Sequence, residues 1–451
     1  MTTLQGPATP QALLADLYWA AVTAAAPGPA LQKALAPRIS ESRRRVHLLA
    51  LGKAAEPMAQ AAVAALREAA RDLAGGLLVV PESVPAPDPR LAVAVGDHPR
   101  PGPGSWRAAE QLAHAVAQVR PDDEVWVLLS GGTTSLIGAP VAGVSPADLA
   151  ALYDLLLGSG LDIVAMNRIR KRFARWAGGR LAVALYPAHV KNFTISDVIG
   201  DDLEFIGSGP CVPDTSTAAA VRAALTAAGL WEKIPESLRR TLAAVERGEA
   251  PETPKPEHPA FATTETILVA SNRLALEAAC ARARALGLNA VLRDAALAGE
   301  ASLVGPRLAS ELLGYDGTSA APAQDALHKH TVLIWGGETT VTLTPDAGRG
   351  GRSQELALAA ARTLARKRPD GREVYLLAAG TDGRDGPTDA AGALVDATTW
   401  ERIARQGRDP ERDLRSHRSY EALEAAGALF RTGLTGTNVM DLVVGLVWAG
   451  G

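Results

Sequence analysis

The sequence predicts an α/β fold of two domains, and three observations lead to this prediction. Short apolar runs alternate with Ala- and Leu-rich stretches along most of the chain, as expected for parallel βαβ units. Loops rich in Gly, Ser, Thr and Asp directly follow several of the apolar runs. The length of 451 residues fits two or three domains of about 100–200 residues each.

The composition excludes several kinds of partner. With 47% apolar residues, 21% charged residues and a net charge of −3, the chain lacks the basic surplus that nucleic acids and anionic membranes bind. Cys211 and Cys280 are too few for a disulfide framework or a Cys-rich zinc site. No apolar run reaches the roughly 18–20 residues that a membrane span needs. We therefore expect a cytoplasmic protein that binds neither nucleic acid nor membrane.

Strands and helices are predicted in alternation through the first half of the chain. The strands are expected at 45–51, 76–80, 91–95, 124–129 and 190–195, and the helices at 12–26, 54–73, 105–119, 146–157 and 162–176. Continuous apolar strands of this kind are typical of a parallel sheet that is buried on both faces. Ligands bind beyond the carboxyl ends of such strands, so the loops after residues 51, 129 and 195 are expected to meet.

A proline-rich segment predicts the domain boundary. Residues 251–259 (PETPKPEHP) hold four prolines among polar residues, a composition that is common in linkers. We therefore assign residues 1–250 to one domain and residues 260–451 to the other, with a last helix that is free to pack back on the first domain. In the second half, strands are expected at 266–270, 289–292, 331–335, 339–344 and 374–378, and helices at 272–286 and 354–366.

Two loops of the first half have the composition of an anion site. Lys53 lies between a strand and the start of a helix, where the helix dipole is positive, so a bound phosphate would relieve the repulsion. The next loop joins two glycines to several hydroxyl groups that can approach an oxyanion; its candidate residues are Ser130, Gly131, Gly132, Thr133 and Ser135. A solvated lysine and a plain βα turn are the alternatives. Neither a Walker A loop nor a strand–GxGxxG–helix unit is present.

Acidic residues follow a further strand of the first half. Asp197, Asp201 and Asp202 lie within six residues and repel one another, which a divalent cation or a basic substrate group would relieve. Helix capping is the alternative for the last two. Asp197, directly at the end of the strand, is the strongest candidate.

The loops of the second half carry both kinds of charge. Arg349 and Arg352 lie in a glycine-rich loop before a helix, and Glu338 follows a strand; arginine can bind a phosphate or a carboxylate through two hydrogen bonds. Three acids that could bind a metal or a substrate hydroxyl follow the next strand: Asp382, Asp385 and Asp389. Five loops of this composition together favour phosphoryl or nucleotide chemistry.

On these residues the chain resembles the glycerate 2-kinase family, whose C-terminal half is called the MOFRL domain. The matching stretches run in family order along almost the whole chain, and they include ALGKAAEPMA (50–59), LLSGGTTSL (128–136), TISDVIGDDLEFIGSGPCVPDTST (194–217), GRGGRSQELALAAA (348–361) and AAGTDGRDGPTDAAGALVD (378–396).

The resemblance implies a fold and an activity. It implies an N-terminal Rossmann-like parallel sheet and a C-terminal MOFRL α/β domain, with the active site in the cleft between them. It implies transfer of the γ-phosphoryl group of ATP to the 2-hydroxyl of D-glycerate with Mg²⁺, which gives 2-phosphoglycerate and ADP. The oligomeric state stays open, with a homodimer among the options.

The resemblance also implies residue roles. Lys53 matches the catalytic lysine that neutralises the transferring phosphoryl group, and Arg352 matches an arginine that holds the glycerate carboxylate or the γ-phosphate. The loop that begins at Ser130 would cradle nucleotide phosphates. Asp197 and the acids at 382, 385 and 389 would hold Mg²⁺ or accept the hydroxyl proton, and these two roles are not apportioned among them. Thr133 and Thr134 stand where many members have Gly and Ser, and Ser353 stands where many members have Asn.

Two other functions stay open at this point. One is an NAD(P)-dependent hydroxypyruvate reductase, which would oxidise a nicotinamide and need no ATP. The other is a catalytically inactive paralogue that binds a nucleotide without turnover.

Overall fold

The computed structural model describes residues 9–161, 163–315, 330–367 and 372–449. It divides the chain into two compact units, one of residues Pro27–Val269 and one of Met1–Ala26 with Ala270–Gly451. In the described residues each unit contains a six-stranded sheet with helices, which confirms the predicted α/β class. No helix among those residues is both long and apolar enough to cross a membrane.

The unit of residues 27–269 is built on a sheet with strand order β3-β2-β1-β4-β5-β6. The pairs from β3 to β5 are parallel, and every residue of β1 and β4 is buried, as the apolar sequence predicts. The strands are β1 (Val46–Leu51), β2 (Leu73–Val80), β3 (Leu91–Val95), β4 (Glu124–Leu129), β5 (His189–Ile195) and β6 (Thr264–Ala270). The helices are α2 (Pro27–Leu35), α3 (Ala55–Glu68), α4 (Pro103–Ala117), α5 (Thr133–Leu136), α6 (Pro146–Leu157), α7 (Ile163–Phe173), α8 (Arg180–Leu185), α9 (Ala218–Ala227) and α10 (Glu236–Glu246).

The other unit has a mixed sheet with strand order β11-β10-β9-β12-β8-β7. The last strand, β12, lies between β8 and β9 and is antiparallel to both, whereas β7 and β8 are parallel. The strands are β7 (Asn289–Leu297), β8 (Thr331–Gly337), β9 (Arg372–Gly380), β10 (Gly392–Asp396), β11 (Leu429–Phe430) and β12 (Asp441–Ala449). The helices are α1 (Pro10–Ala24), α11 (Asn272–Ala285), α12 (Ala301–Gly314), α13 (Arg352–Arg366), α14 (Thr399–Arg405), α15 (Pro410–Arg415) and α16 (Ser419–Ala425).

The first helix belongs to the second of these units, which differs from the predicted domain of residues 1–250. Its buried face includes Leu14 and Leu17, and it packs on α11 and β12. The Tyr18 hydroxyl donates to the Gly380 carbonyl at 2.9 Å, and Asp16 pairs with Arg282 at 2.7 Å. The last described element is the strand β12 rather than a helix, and it is the first helix that is grouped with a distant part of the chain.

The proline-rich segment 251–259 is packed within the unit of residues 27–269 and does not act as a free linker. Thr253 is buried, and its hydroxyl donates to Asp214 at 2.9 Å. Lys255 donates to the Asp214 carbonyl at 2.8 Å. The division between the units falls instead at Val269, near the end of β6. The segment is therefore an integral part of this unit, because its polar side chains have partners inside it.

A buried ion network holds this region together. Lys171 is almost fully buried, and its ammonium group contacts Asp214 at 2.9 Å and Glu204 at 2.7 Å. Burial opposes ionisation of Asp214, but the hydrogen bonds from Lys171 and Ser216 outweigh it and lower the pKa of Asp214 to about 2. Since the folded protein binds this proton more weakly than an ordinary carboxylate, Asp214 adds stability that is present above about pH 4 and is lost as the pH falls towards 2.

We predict that Asp214→Asn lowers the free energy of unfolding by about 3 kcal/mol at pH 7, because it leaves part of the Lys171 charge buried without its partner. Urea unfolding followed by circular dichroism measures this change. The matched control is Asp154→Asn, which removes an exposed ion pair with Arg100 and should cost less than about 1 kcal/mol. Equal losses in the two variants would contradict the role given to the buried pair.

Candidate active site

The loops after β1 and β4 are joined by hydrogen bonds at the carboxyl edge of the sheet. Leu51, the last residue of β1, pairs with Leu129, the last residue of β4. Beyond them, the Lys53 amide donates to the Gly131 carbonyl at 2.9 Å, and the Ala54 amide donates to Ser130 Oγ at 3.0 Å. The predicted meeting of the Lys53 loop with the glycine loop is therefore present in the structure, and the Lys53 side chain is exposed.

Both glycines of this loop sit where a side chain would not fit. A Cβ atom on Gly131 would lie 2.1 Å from Asp197 Oδ2, so the absence of a side chain lets this carboxylate approach the loop. Gly132 has a φ of 88°, which strongly favours glycine. A Cβ atom on Gly132 would lie 3.2 Å from Lys53 Cγ and 3.3 Å from His98 Cδ2. The structure thus brings Lys53, Asp197 and His98 together around two glycines.

Three of the predicted binding hydroxyls are occupied inside the protein. Thr133 is fully buried, and its hydroxyl lies 2.9 Å from the Leu51 carbonyl and 2.8 Å from the Ser130 carbonyl. Ser130 Oγ accepts the Ala54 amide, and Ser135 Oγ donates to the Pro99 carbonyl at 2.6 Å. These hydroxyls therefore fix the shape of the loop, and the bulk of Thr133 points into the core.

The backbone of the same loop has unused donors. Within the described part of the chain, four successive amides at 131–134 donate to no acceptor. Thr134 Oγ1 lies 2.8 Å from the Ser208 hydroxyl, which the sequence analysis did not single out. Successive free amides beside a lysine are the groups from which backbone anion sites are built.

His98 adds a neutral imidazole to this group. Burial, together with the positive charge of Lys53, lowers the pKa of His98 below its ordinary value of 6.5. The imidazole is therefore uncharged at neutral pH, and its unprotonated nitrogen is free of charge to accept a hydrogen bond or a proton.

Arg352 is the centre of a second group, in the unit that contains residues 270–449. Its Nε and Nη2 atoms donate to the two oxygens of Asp441 at 2.6 and 3.0 Å, and its Nη1 atom contacts Glu338. Burial disfavours the charged form, but the hydrogen bonds and the charge of Asp441 outweigh it and raise the pKa of Arg352 above its usual value. Arg352 is therefore held in one orientation as a cation, with about a third of its side chain exposed.

Asp385 is placed at the start of α13 rather than at an open position. Its two oxygens accept the backbone amides of Ser353 at 3.1 Å and Gln354 at 2.8 Å. A Cβ atom on Gly351 would lie 2.2 Å from Asp385 Cγ, so glycine allows this approach. Burial, followed by the charge of Asp441, raises the pKa of Asp385 to about 7.

The three acids of the predicted metal set do not converge on one point. Asp382 Oδ1 accepts the Arg384 amide at 2.9 Å, and Asp389 binds the Tyr420 hydroxyl at 2.7 Å and Arg431 at 3.0 Å. In the residues that the structure describes, no group of three or more His, Cys, Asp or Glu side chains could hold a metal ion. A resident three-carboxylate magnesium site therefore does not fit this arrangement.

The remaining predicted residues divide between two places. Glu338 belongs to the Arg352 group, whereas Arg349 stacks over the Tyr420 ring at 3.9 Å, beside Asp389. A cavity of about 410 Å³ is lined by Arg352, Asp382 and Asp385. Asp382 and Asp385 therefore line the same cavity as Arg352, whereas Arg349 and Asp389 lie together at Tyr420.

Asp441 is the main residue that the sequence analysis missed. It lies 89 positions from Arg352 along the chain, at the first residue of the apolar strand β12. A carboxylate at the boundary between a loop and a buried strand was the available signal, but its partner depends on the order of the strands.

We predict that the free energy of unfolding of the wild type falls more steeply between pH 4 and pH 7 than that of Asp385→Asn. The pKa of Asp385 is raised, so the folded state keeps this proton to higher pH than the unfolded chain does. The stability from this group is therefore present below about pH 4 and is lost as the pH rises towards 7. Urea unfolding at unit intervals of pH measures the slope, and the exposed Asp346→Asn serves as the control. Equal slopes in the wild type and Asp385→Asn would rule out the raised pKa.

Comparison with known proteins gives the family. Residues 13–243 match the family described as a domain of unknown function, DUF4147, and residues 331–441 match the MOFRL family. The glycerate 2-kinase of Pyrococcus horikoshii is 37% identical over 407 residues, which cover 90% of this chain and 88% of the relative. The crystal structure of a glycerate kinase from Thermotoga maritima has a TM-score of 0.84 at 35% identity, covering 98% of this chain and 100% of the other.

A third relative carries a different name. A protein of Agrobacterium vitis with the provisional name hydroxypyruvate reductase is 38% identical over 95% of this chain and 93% of its own length. The two kinds of name occur among relatives of similar identity, so the name alone does not separate them. The matched families, the identities over most of the chain and the shared fold agree with the resemblance in the sequence, and the chain therefore belongs to the glycerate 2-kinase family.

Proposed function

We propose that this protein is an ATP-dependent glycerate 2-kinase, which phosphorylates the 2-hydroxyl of D-glycerate to give 2-phosphoglycerate and ADP. The observation that carries the proposal is the row of free amides at residues 131–134 beside Lys53, in a chain 37% identical to a glycerate 2-kinase. Phosphoryl transfer needs mainly positioning and charge stabilisation, and these groups can supply both.

The glycine loop is proposed to bind phosphate oxygens. Each of its four free amides can donate a hydrogen bond, and the exposed Lys53 adds a positive charge beside them. Charge that develops on the transferring phosphoryl group would be stabilised most strongly by donors that are already in place. The buried hydroxyls of Ser130 and Thr133 support this role by holding the loop in one shape.

Arg352 is proposed to bind a carboxylate or phosphate oxygen of the substrates. Asp441 fixes its guanidinium group through two hydrogen bonds, so little side-chain entropy remains to be lost on binding. The adjoining cavity of about 410 Å³ has the size of a small-molecule site. Asp197 and the neutral His98 are the groups beside Lys53 that can accept the hydroxyl proton.

Magnesium is proposed to enter with the nucleotide as the Mg–ATP substrate. Mg²⁺ is commonly held by one or two carboxylates together with substrate phosphates and water, so it does not require the three-acid cage that these residues lack. The chain's own part is then to bind the complex, to orient it and to exclude water.

The activity itself is tested by an ADP-release assay with purified protein, D-glycerate, ATP and magnesium, in which NMR identifies the product. We expect ADP and 2-phosphoglycerate in equal amounts. A parallel reaction with hydroxypyruvate and NADH or NADPH tests the reductase. Oxidation of the nicotinamide without ADP release would overturn the kinase proposal, and ATP binding without either reaction would indicate an inactive paralogue.

We predict that Lys53→Ala and Arg352→Ala each lower kcat at least a hundredfold, because each removes a cation from the transferring phosphoryl group or its substrate. Steady-state kinetics measure the change. The matched controls are Lys33→Ala and Arg307→Ala, which remove exposed cations from helices α2 and α12 and should leave kcat within about twofold. Near-wild-type turnover in Lys53→Ala or Arg352→Ala would refute that residue's assignment, provided that circular dichroism shows a folded protein.

A further inference from the structure

A cavity in the unit of residues 27–269 lies at the edge of the sheet opposite to Lys53. It has a volume of about 750 Å³, and it is lined by Arg45, Arg90 and Arg120. Arg45 directly precedes β1, whereas Lys53 follows that strand. Six residues of β-strand span roughly 20 Å, so this cavity is separate from the glycine loop.

The chain delivers the three arginines to this edge through the order of its strands. Arg90 precedes β3, Arg45 precedes β1 and Arg120 lies four residues before β4. Since these strands run parallel with β2 among them, their amino ends meet along one edge. None of the described residues that line the cavity is acidic.

Two of these arginines are held in fixed orientations by buried carboxylates behind them. Arg45 binds both oxygens of Asp123 at 3.0 and 2.9 Å, and Arg90 binds both oxygens of Asp88 at 2.9 and 3.0 Å. Asp123 also accepts the Arg120 amide at 2.8 Å, so its oxygens are fully used. The carboxylates therefore orient the guanidinium groups while these stay more than a third exposed.

Donors remain free on the side chains that line this cavity. Among the described residues, Arg45 Nη1 and the whole Arg120 guanidinium group have no hydrogen-bond or ion-pair partner. His114 and Gln118, which are exposed on and just after α4, also line the cavity. Positive charge is favoured near the carboxyl end of a helix, which explains the presence of His114 in the last turn of α4. This explanation does not apply to Arg45 and Arg90, which lie at strand termini.

Small residues make the room for a ligand. Gly75 and Gly76 of β2 line the cavity with Ala92 of β3. A Cβ atom on Gly76 would lie 1.9 Å from the Leu48 carbonyl oxygen, so glycine is required there for the close approach of β1 and β2, and no side chain at 76 enters the cavity. The resulting volume is within the range of about 300–1,000 Å³ that is usual for small-molecule sites.

We propose that this cavity is a second anion site, which binds a small organic phosphate. Fixed guanidinium groups match phosphate oxygens in geometry and charge, and the volume accepts more than an inorganic ion. The site is distinct from the proposed phosphate-transfer loop and would bind its ligand whether or not that loop is occupied.

The test is isothermal titration calorimetry with inorganic pyrophosphate on the wild type, Arg120→Glu and Arg107→Glu. Arg107 is an exposed residue of α4 that does not line the cavity, so its charge reversal is the matched control. We expect a saturable binding event that is at least tenfold weaker in Arg120→Glu and unchanged in Arg107→Glu. Any pyrophosphate bound at Lys53 should be the same in all three proteins.

A second variant is needed because Arg120→Glu places a new acid near Asp123, and the repulsion between the two acids can destabilise the fold. His114→Gln removes a basic ring without that risk and should weaken the same binding event several-fold. Equal affinities in all variants would overturn the proposal. Tighter binding of citrate than of pyrophosphate at the Arg120-dependent site would overturn the assignment to phosphate.

Discussion

The strands β1 and β4 end side by side, and the hydrogen bonds beyond their ends hold the Lys53 loop against the glycine loop. The Gly131 carbonyl and the Ser130 hydroxyl accept the first two amides after Gly52. Thr133 connects the same loop back to Leu51. These contacts use the side-chain hydroxyls, and consequently the free donors of the loop are backbone amides, whose direction is set by the sheet rather than by rotamers.

The Arg352 group follows a different principle. Its orientation comes from acidic side chains, and the carboxylates of Asp441 and Glu338 would repel an anionic substrate if Arg352 did not bind them. The same arginine therefore has to neutralise its neighbours and still attract a ligand. Asp385 lessens this conflict, because burial favours its neutral form up to about pH 7. The net charge around Arg352 therefore depends both on the number of carboxylates there and on which of them are protonated.

The sequence predicted well what depends on local pattern. The apolar runs located β1 and β4, and the rule that ligands bind at the carboxyl ends of parallel strands correctly grouped Lys53, Gly131 and Asp197. What the sequence could not give depends on distant neighbours. The alternation of Thr and apolar residues at 339–344 predicted a strand, but both sides of β8 are already occupied by β7 and β12. Thr342 binds the Glu300 side chain instead, at 2.9 Å.

The direction of individual side chains also could not be predicted from the sequence pattern. Ser130 and Thr133 were predicted as ligand contacts because hydroxyls beside glycines often have that role. In the fold, both hydroxyls have closer partners in the backbone. Asp441 was missed for the opposite reason, since its partner is 89 residues away and only the insertion of β12 between β8 and β9 brings them together.

The placement of α1 has a consequence for synthesis of the chain on the ribosome. This helix emerges well before the surfaces that cover its apolar face, since α11 begins at Asn272 and β12 at Asp441. During most of translation Leu14, Leu17 and Tyr18 have no native partner, while the unit of residues 27–269 can already fold behind them. Any fragment that starts at residue 270 would likewise expose the groove that α1 fills, so the amino-terminal helix is an essential part of a unit encoded almost 250 residues downstream.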